Sequence, residues 1–168
     1  MESRAKLLGH PIHQMLVVFP LGLLATAVAF DVVRVVTDGE GWGTSAYYMI
    51  GAGVATGVLA AVFGWIDWFA IPGGTRAKGV GLRHGLGNVV VLVLFAASWL
   101  LRSDAPAAPP QLAFLLALAG AAISLVTAWL GGELVDRLGV GVDDGAHLDA
   151  PSSLSGRPAH EGAAARRR

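Results

Sequence analysis

The chain has 168 residues and a formal net charge of zero; 54% of its residues are hydrophobic and 14% are charged. Soluble domains carry roughly 25% charged residues, so this composition indicates a membrane protein. The balanced charge gives no basic surface for nucleic acid. The absence of cysteine excludes thiolate metal sites, disulfides and cysteine nucleophiles.

Apolar stretches follow one another along the chain, and each approaches or exceeds the roughly 20 residues that cross about 30 Å of hydrocarbon. We predict transmembrane helices over residues 11–36, 45–71, 84–101 and 111–134. The sequence therefore predicts an all-α polytopic membrane protein whose four-helix transmembrane bundle occupies residues 1–142. Residues 143–168 are rich in Gly, Pro, Ser and charge, and they have too little apolar surface to fold alone. We expect a disordered cytoplasmic tail there.

The cations fall mainly on one side of the predicted bundle. With four spans, both termini and the middle connection share a side, and that side carries every lysine and arginine except Arg34 and Arg102. Because cytoplasmic loops carry the excess of Lys and Arg, both termini are predicted to be cytoplasmic.

Five ionisable residues are predicted to meet at this cytoplasmic edge. They are His10, His13, Asp67, His84 and Glu133. Proline is tolerated at the first position of a helix, so Pro11 places His10 near the N-cap of the first span and His13 in its first turn. His84 has the matching place at the start of the third span. The partial positive charge of a helix N-terminus favours neutral imidazole, which is the form that binds metals and haem.

The two acids lie near the C-terminal ends of the second and fourth spans, where the helix macrodipole disfavours a negative charge. Two acids facing three histidines indicate mutual compensation or a bound cation. In one version, His10 or His13 together with His84 would ligate a b-type haem. In another, all five residues would hold a divalent metal such as zinc or iron. The structural alternative is helix capping with salt bridges to cations on the same side, namely Arg76, Arg83 and Arg137.

Three other polar residues carry smaller predictions. Asn88 lies one turn beyond His84 and is expected to orient it. Asp31 and Arg34, near the outer end of the first span, are expected to pair with each other or to extend to the interface. No internal repeat is evident, although the second and fourth spans both end in an acidic residue after a glycine-rich approach.

Several segments carry a resemblance to a known family. Gly9-His10-Pro11-Ile12-His13, followed by residues 17–22, resembles the opening signature of a bacterial membrane-protein family known as domain of unknown function 2231. Residues 131–135 and 139–142 resemble its closing signature, and Asp67 and His84 fall where the family places an acid and a histidine of the third helix. The chain departs from the pattern at Gln14, where the family often has proline, and at Asp136, where an aromatic residue is common.

The resemblance covers about residues 7–142. It implies a four-helix protein of the bacterial inner (plasma) membrane and supplies no established activity, although some relatives look joined to redox modules. We therefore expect a membrane protein of unknown activity whose His and carboxylate cluster binds a metal or haem, with a link to redox chemistry. The alternative is a non-catalytic scaffold or complex subunit, homo-oligomeric or with another membrane partner. No catalytic residues are predicted.

Overall fold

The computed structural model describes residues 1–162 and contains four helical segments that are long and apolar enough to cross a membrane. The predicted all-α class is confirmed, and the helices imply contact with a lipid bilayer. The segments are Ile12–Thr37, Glu40–Ala70, Arg76–Leu101 and Gln111–Arg137. They comprise α1 (Ile12–Leu16) with α2 (Val18–Thr37), α3 (Glu40–Ala70), α4 (Arg76–Leu101), and α5 (Gln111–Gly132) continued by a π-helical turn over Glu133–Arg137.

The break between α1 and α2 has a local cause. Pro20 carries no N–H, so the carbonyl of Leu16 cannot receive the usual helical hydrogen bond from that position. The helix is interrupted at Val17, between Leu16 and Val18. As a result, the short α1 turn that carries His13 is a separate element at the end of the bundle.

The starts of two helices differ most from the prediction. α3 begins at Glu40 rather than residue 45, and α4 begins at Arg76 rather than residue 84. The Thr75 side chain accepts a hydrogen bond from the Lys78 N–H, so it caps a helix that starts in a charged segment before the apolar run. The predicted position of His84 at a helix start is therefore wrong, because it lies two turns inside α4.

The helices form two hairpins, α2 with α3 and α4 with α5, which pack side by side. Their shared core consists of Leu24, Ala27, Ala46, Ile50, Val91, Phe95 and Ala117. Only 17–22% of the most apolar window of each span is buried inside the bundle, so most large apolar side chains face outward. An outward apolar surface is what a bilayer requires of a spanning helix.

The segments before and after the bundle meet at one end. Lys6–Leu7 and His10–Pro11 form a small antiparallel strand pair. Between residues 139 and 162 the chain is irregular except for a short 3-10 turn. The start of this segment contacts the N-terminus, where the amino group of Met1 donates to the Gly139 carbonyl. Disorder of the tail stays a prediction, and residues 163–168 of it lie outside the described residues.

Buried and half-buried positions of the first hairpin recur in the second, 71 residues later in the first helix of the hairpin and 67 residues later in its second helix. Arg102 follows Asp31 by 71 residues. The same spacing links three further pairs, His13 with His84, Leu24 with Phe95, and Ala27 with Ser98. In the second helix of each hairpin, Ala46, Ile50, Gly53 and Gly64 are matched by Ala113, Ala117, Gly120 and Gly131. These correspondences indicate that the second hairpin repeats the first, although no repeat was predicted from the sequence.

Candidate functional site: a histidine pair between the hairpins

The first histidine of the site crosses from α1 to α3. The Nδ1 of His13 lies 2.8 Å from the carbonyl oxygen of Ala60. A carbonyl only accepts hydrogen bonds, so Nδ1 carries the proton and donates, and Nε2 keeps its lone pair. The ring lies against Gly64, where an added Cβ would stand 2.9 Å from two ring atoms of His13. Glycine at this position is what makes room for the imidazole.

His84 repeats this arrangement in the second hairpin. Its Nδ1 lies 2.9 Å from the carbonyl oxygen of Thr127 in α5, so here too Nδ1–H donates and Nε2 keeps its lone pair. The ring lies near Gly131, where an added Cβ would stand 3.2 Å from the imidazole. In both hairpins the glycine follows the accepting residue by four positions, which is one helical turn.

The two imidazoles approach each other edge to face. Their ring centroids are 6.3 Å apart and their planes are perpendicular. Both side chains are half-buried. We call His13 and His84 the histidine pair, and the end of the bundle that carries them the histidine end.

Asn88 holds one member of the pair, as predicted. Its amide nitrogen donates to the backbone carbonyl of His84 at 2.9 Å and lies 3.3 Å from Nε2 of the same residue. Its amide oxygen accepts from the Thr127 hydroxyl at 3.0 Å. Asn88 therefore links His84 of α4 to Thr127 of α5.

Asp67 is occupied by the N-terminal segment rather than by a histidine. Its carboxylate accepts from the Ser3 hydroxyl at 2.7 and 2.8 Å, from the Arg4 N–H at 2.7 Å and from the Ala5 N–H at 3.3 Å. These hydrogen bonds stabilise a carboxylate whose negative charge is disfavoured by the macrodipole at the C-terminal end of α3. Asp67 thus fastens the segment that leads into α1.

Glu133 and His10 also have partners away from the histidine pair. Glu133 forms a salt bridge with Arg76, which is the structural alternative that the sequence left open. His10 is exposed, and its Nε2 lies 3.3 Å from the Ser153 hydroxyl. Of the five predicted site residues, the structure brings together His13 and His84. Within residues 1–162, no group of three or more His, Cys, Asp or Glu side chains is placed to hold a metal ion.

A buried ion pair at the other end was not predicted. Asp31 and Arg102 form a bidentate salt bridge at 2.6 and 2.7 Å, and both side chains are fully buried. The Nε of Arg102 donates to Ser98. The expected pairing of Asp31 with Arg34 is wrong: the Nε of Arg34 is buried without a hydrogen-bond partner among the described residues. The signal that predicts the Arg102 pairing is the repeat spacing that also relates the two histidines.

A family comparison agrees with this architecture. The model of a family described as predicted membrane protein, domain of unknown function 2231, matches residues 9–144. The chain belongs to this family. Comparison with curated proteins and with solved structures gave no significant match. The family description provides a membrane location and no activity, so the chemistry of this member has to be argued from its side chains.

Proposed function

We propose that this protein binds a b-type haem through the histidine pair and serves in membrane electron transfer. The observation that carries the proposal is the separation of the two rings. Imidazoles on opposite sides of one metal ion have centroids roughly 6 Å apart, because each metal–nitrogen bond is about 2 Å and the centroid lies about 1 Å further. The pair has 6.3 Å. Tetrahedral ligation would bring the centroids to roughly 5 Å.

The number of ligands also favours haem over a bare divalent metal. A structural zinc site uses four protein ligands, whereas haem iron receives four nitrogens from the porphyrin and needs only axial ligands from the protein. His13 and His84 would supply two such ligands. In the part of the chain that the structure describes, Asp67 and Glu133 are engaged elsewhere.

The surrounding residues fit a ligand role for the pair. Imidazoles that bind a metal usually donate their other N–H to a carbonyl or carboxylate, which fixes the tautomer and the ring orientation. The carbonyls of Ala60 and Thr127 accept these bonds. Asn88 meets Nε2 of His84 only at 3.3 Å, a long contact that has to be given up when that nitrogen binds a metal. When bound, haem iron supplies one-electron chemistry.

The test is a haemin titration of the purified full-length protein in detergent, followed by its Soret band and its reduced-minus-oxidised spectrum. We expect stoichiometric binding with a six-coordinate bis-imidazole spectrum. His13→Ala and His84→Ala should each abolish that spectrum. His10→Ala is the matched control and should leave it unchanged, because His10 is exposed and contacts Ser153 instead.

Two results would contradict the proposal. One is a wild-type protein that gives no Soret shift with excess haemin. The other is a double variant, His13→Ala with His84→Ala, whose spectrum matches the wild type. A stoichiometric divalent metal in the purified protein, lost in the same variants, would instead support the divalent-metal version.

A structural role is the second candidate, and the partners of the other polar residues favour it. Asp67 fastens the N-terminal segment and Glu133 joins α5 to α4 through Arg76. These contacts suit a membrane scaffold or complex subunit. Cell function that disappears in a folded His13→Ala, His84→Ala double variant would contradict the scaffold and favour the ligand site.

We further propose that the protein lies in the bacterial inner membrane with both termini in the cytoplasm, since the cations concentrate on that side. The absence of cysteine makes a labelling test direct. Ser103→Cys should react with a membrane-impermeant maleimide in intact cells, and Ser152→Cys should react only after permeabilisation. The reverse pattern would contradict this orientation.

A further inference from the structure

A groove of about 410 Å³ lies on the outside of the bundle, between the first turns of α4 and the end of α5. Arg76, Arg83 and Glu133 line its polar part, and Val80, Trp129 and Leu130 line its apolar part. None of these residues belongs to the histidine pair. The groove is therefore separate from the histidine pair.

The groove carries uncompensated positive charge. Glu133 lines it but is paired with Arg76, so these two charges cancel. Arg83 is exposed and forms no salt bridge with any acid between residues 1 and 162. An arginine in this position is free to bind an anion, and its planar fork matches the oxygens of a phosphate.

The apolar part of the groove is continuous with the lipid-facing surface of α5. Trp129 is 65% exposed, and Leu125, one turn earlier on the same helix, is 75% exposed. Tryptophan is enriched at the boundary between headgroups and hydrocarbon. The groove thus joins a cation at the edge of the bundle to an apolar strip that runs into the membrane.

We propose that this groove binds an anionic glycerophospholipid, with the phosphate on Arg83 and an acyl chain along Trp129 and Leu125. Basic pockets between transmembrane helices bind acidic headgroups in this manner. A free phosphate would use only the arginine, whereas a phospholipid also covers the exposed apolar strip. The inference does not depend on haem binding.

The test compares phosphatidylglycerol with phosphatidylcholine, each added to the full-length protein in detergent and measured by native mass spectrometry. We expect phosphatidylglycerol to bind about tenfold more tightly, because both lipids carry the phosphate but the choline ammonium of phosphatidylcholine neutralises it and adds a second cation beside Arg83. Arg83→Gln should remove this preference. Arg137→Gln is the matched control, because it removes one exposed cation beyond the same end of α5 without touching the groove.

Glu133→Gln provides a variant with the opposite expectation. It releases Arg76 from its salt bridge, so the groove gains a second cation and phosphatidylglycerol should bind more tightly than to the wild type. Equal losses in Arg83→Gln and Arg137→Gln would overturn the proposal, since they would indicate general charge attraction. Displacement of the lipid by inorganic phosphate at equal concentration would overturn the choice of a lipid.

Discussion

The two ends of the bundle show what the same repeat can do with different side chains. At one end, Asp31 and Arg102 occupy equivalent positions of the two hairpins and close on each other in a fully buried ion pair. At the other end, His13 and His84 also occupy equivalent positions, but they remain half-buried and 6.3 Å apart. An acid and a base at equivalent positions of the two hairpins neutralise each other's charge, whereas two histidines at equivalent positions cannot.

This difference separates a structural contact from a candidate binding site. The carboxylate and guanidinium satisfy each other through two charge-assisted hydrogen bonds, so the ion pair has little left to offer a ligand. Each imidazole donates its N–H to a backbone carbonyl and keeps a lone pair on Nε2, which at His84 meets only the long 3.3 Å contact from Asn88. Repeat proteins of membranes commonly place their binding sites at the interface between repeats.

The largest expected effect comes from breaking the buried ion pair. Asp31→Ala leaves the Arg102 guanidinium without its counterion in the bundle interior, and removing one partner of a buried pair costs about 3–5 kcal/mol. Reversible unfolding in mixed micelles with sodium dodecyl sulfate would measure this loss. Haem binding at the far end should persist as long as the protein remains folded.

Two further variants test whether the stability lost in Asp31→Ala comes from the unpaired charge of Arg102. Arg34→Met is the matched control, because it removes an arginine from the same turn of α2 that has no acidic partner among the described residues. It should leave the free energy of unfolding within about 1 kcal/mol of the wild type. The double variant Asp31→Leu with Arg102→Met should recover most of the stability, since an apolar pair needs no counterion. A double variant as unstable as Asp31→Ala would contradict this account.

The contrast between the ends also shows what the sequence can predict. Length and hydropathy predict the four helices, because a bilayer admits few other structures. Alternation of direction places His13 and His84 at the same end. The predicted partner of Asp31 was wrong because Arg34 lies one turn away on the same helix, and pairing within a helix is the default expectation. The tertiary partner, Arg102, becomes visible only through the repeat.

The partners of the two carboxylates could not be predicted for a different reason. A carboxylate at a helix C-terminus needs hydrogen-bond donors or cations to stabilise its charge, but the sequence does not specify which groups supply them. Asp67 accepts hydrogen bonds from the backbone of the N-terminal segment, and Glu133 forms a salt bridge with Arg76. The donors to both carboxylates lie in segments that precede a predicted span and whose charge and polarity indicate loops. The five predicted residues therefore form one histidine pair and three separate tertiary contacts.

A smaller effect is expected from filling the space beside the histidines. Gly64→Ala places a Cβ 2.9 Å from two ring atoms of His13, so the ring has to move, and the strain should cost about 1–3 kcal/mol. Gly131→Ala approaches His84 only to 3.2 Å and should cost less. Haemin titration should show weaker binding in the same order.

Gly22→Ala is the control for these glycine variants. An added Cβ at Gly22 meets no atom within 4 Å, and the residue lies within α2. Replacing an unhindered helical glycine should raise the free energy of unfolding by about 0.5–1 kcal/mol and leave haem binding unchanged. Gly64→Ala that binds haemin as tightly as Gly22→Ala would contradict the role of Gly64 in seating the imidazole.

The smallest effect concerns a surface contact between the N-terminal segment and the segment that follows α5. Lys6 bonds to Glu2 at 2.8 Å and to Asp143, and the Asp144 N–H donates to Glu2 at 3.3 Å. The hydrogen bond from Lys6 lowers the pKa of Glu2 below 4.5, and the bonds to Asp143 and then Glu2 raise the pKa of Lys6 above 10.5. The Glu2 contribution is therefore present above pH 4.5 and is lost as the pH falls through the lowered value.

Lys6 gives the opposite sign, because its contribution is complete below pH 10.5 and is lost as the pH rises through its raised pKa. The amide proton of Asp144, followed by nuclear magnetic resonance, should titrate below pH 4.5, and Glu2→Gln should remove that titration. Glu161→Gln is the control, since Glu161 pairs with Arg157 within the tail. A midpoint at or above pH 4.5 would contradict the contact. Glu2 is exposed and Lys6 is half-buried at the surface, so even complete loss should leave the buried ion pair and the global unfolding transition unchanged.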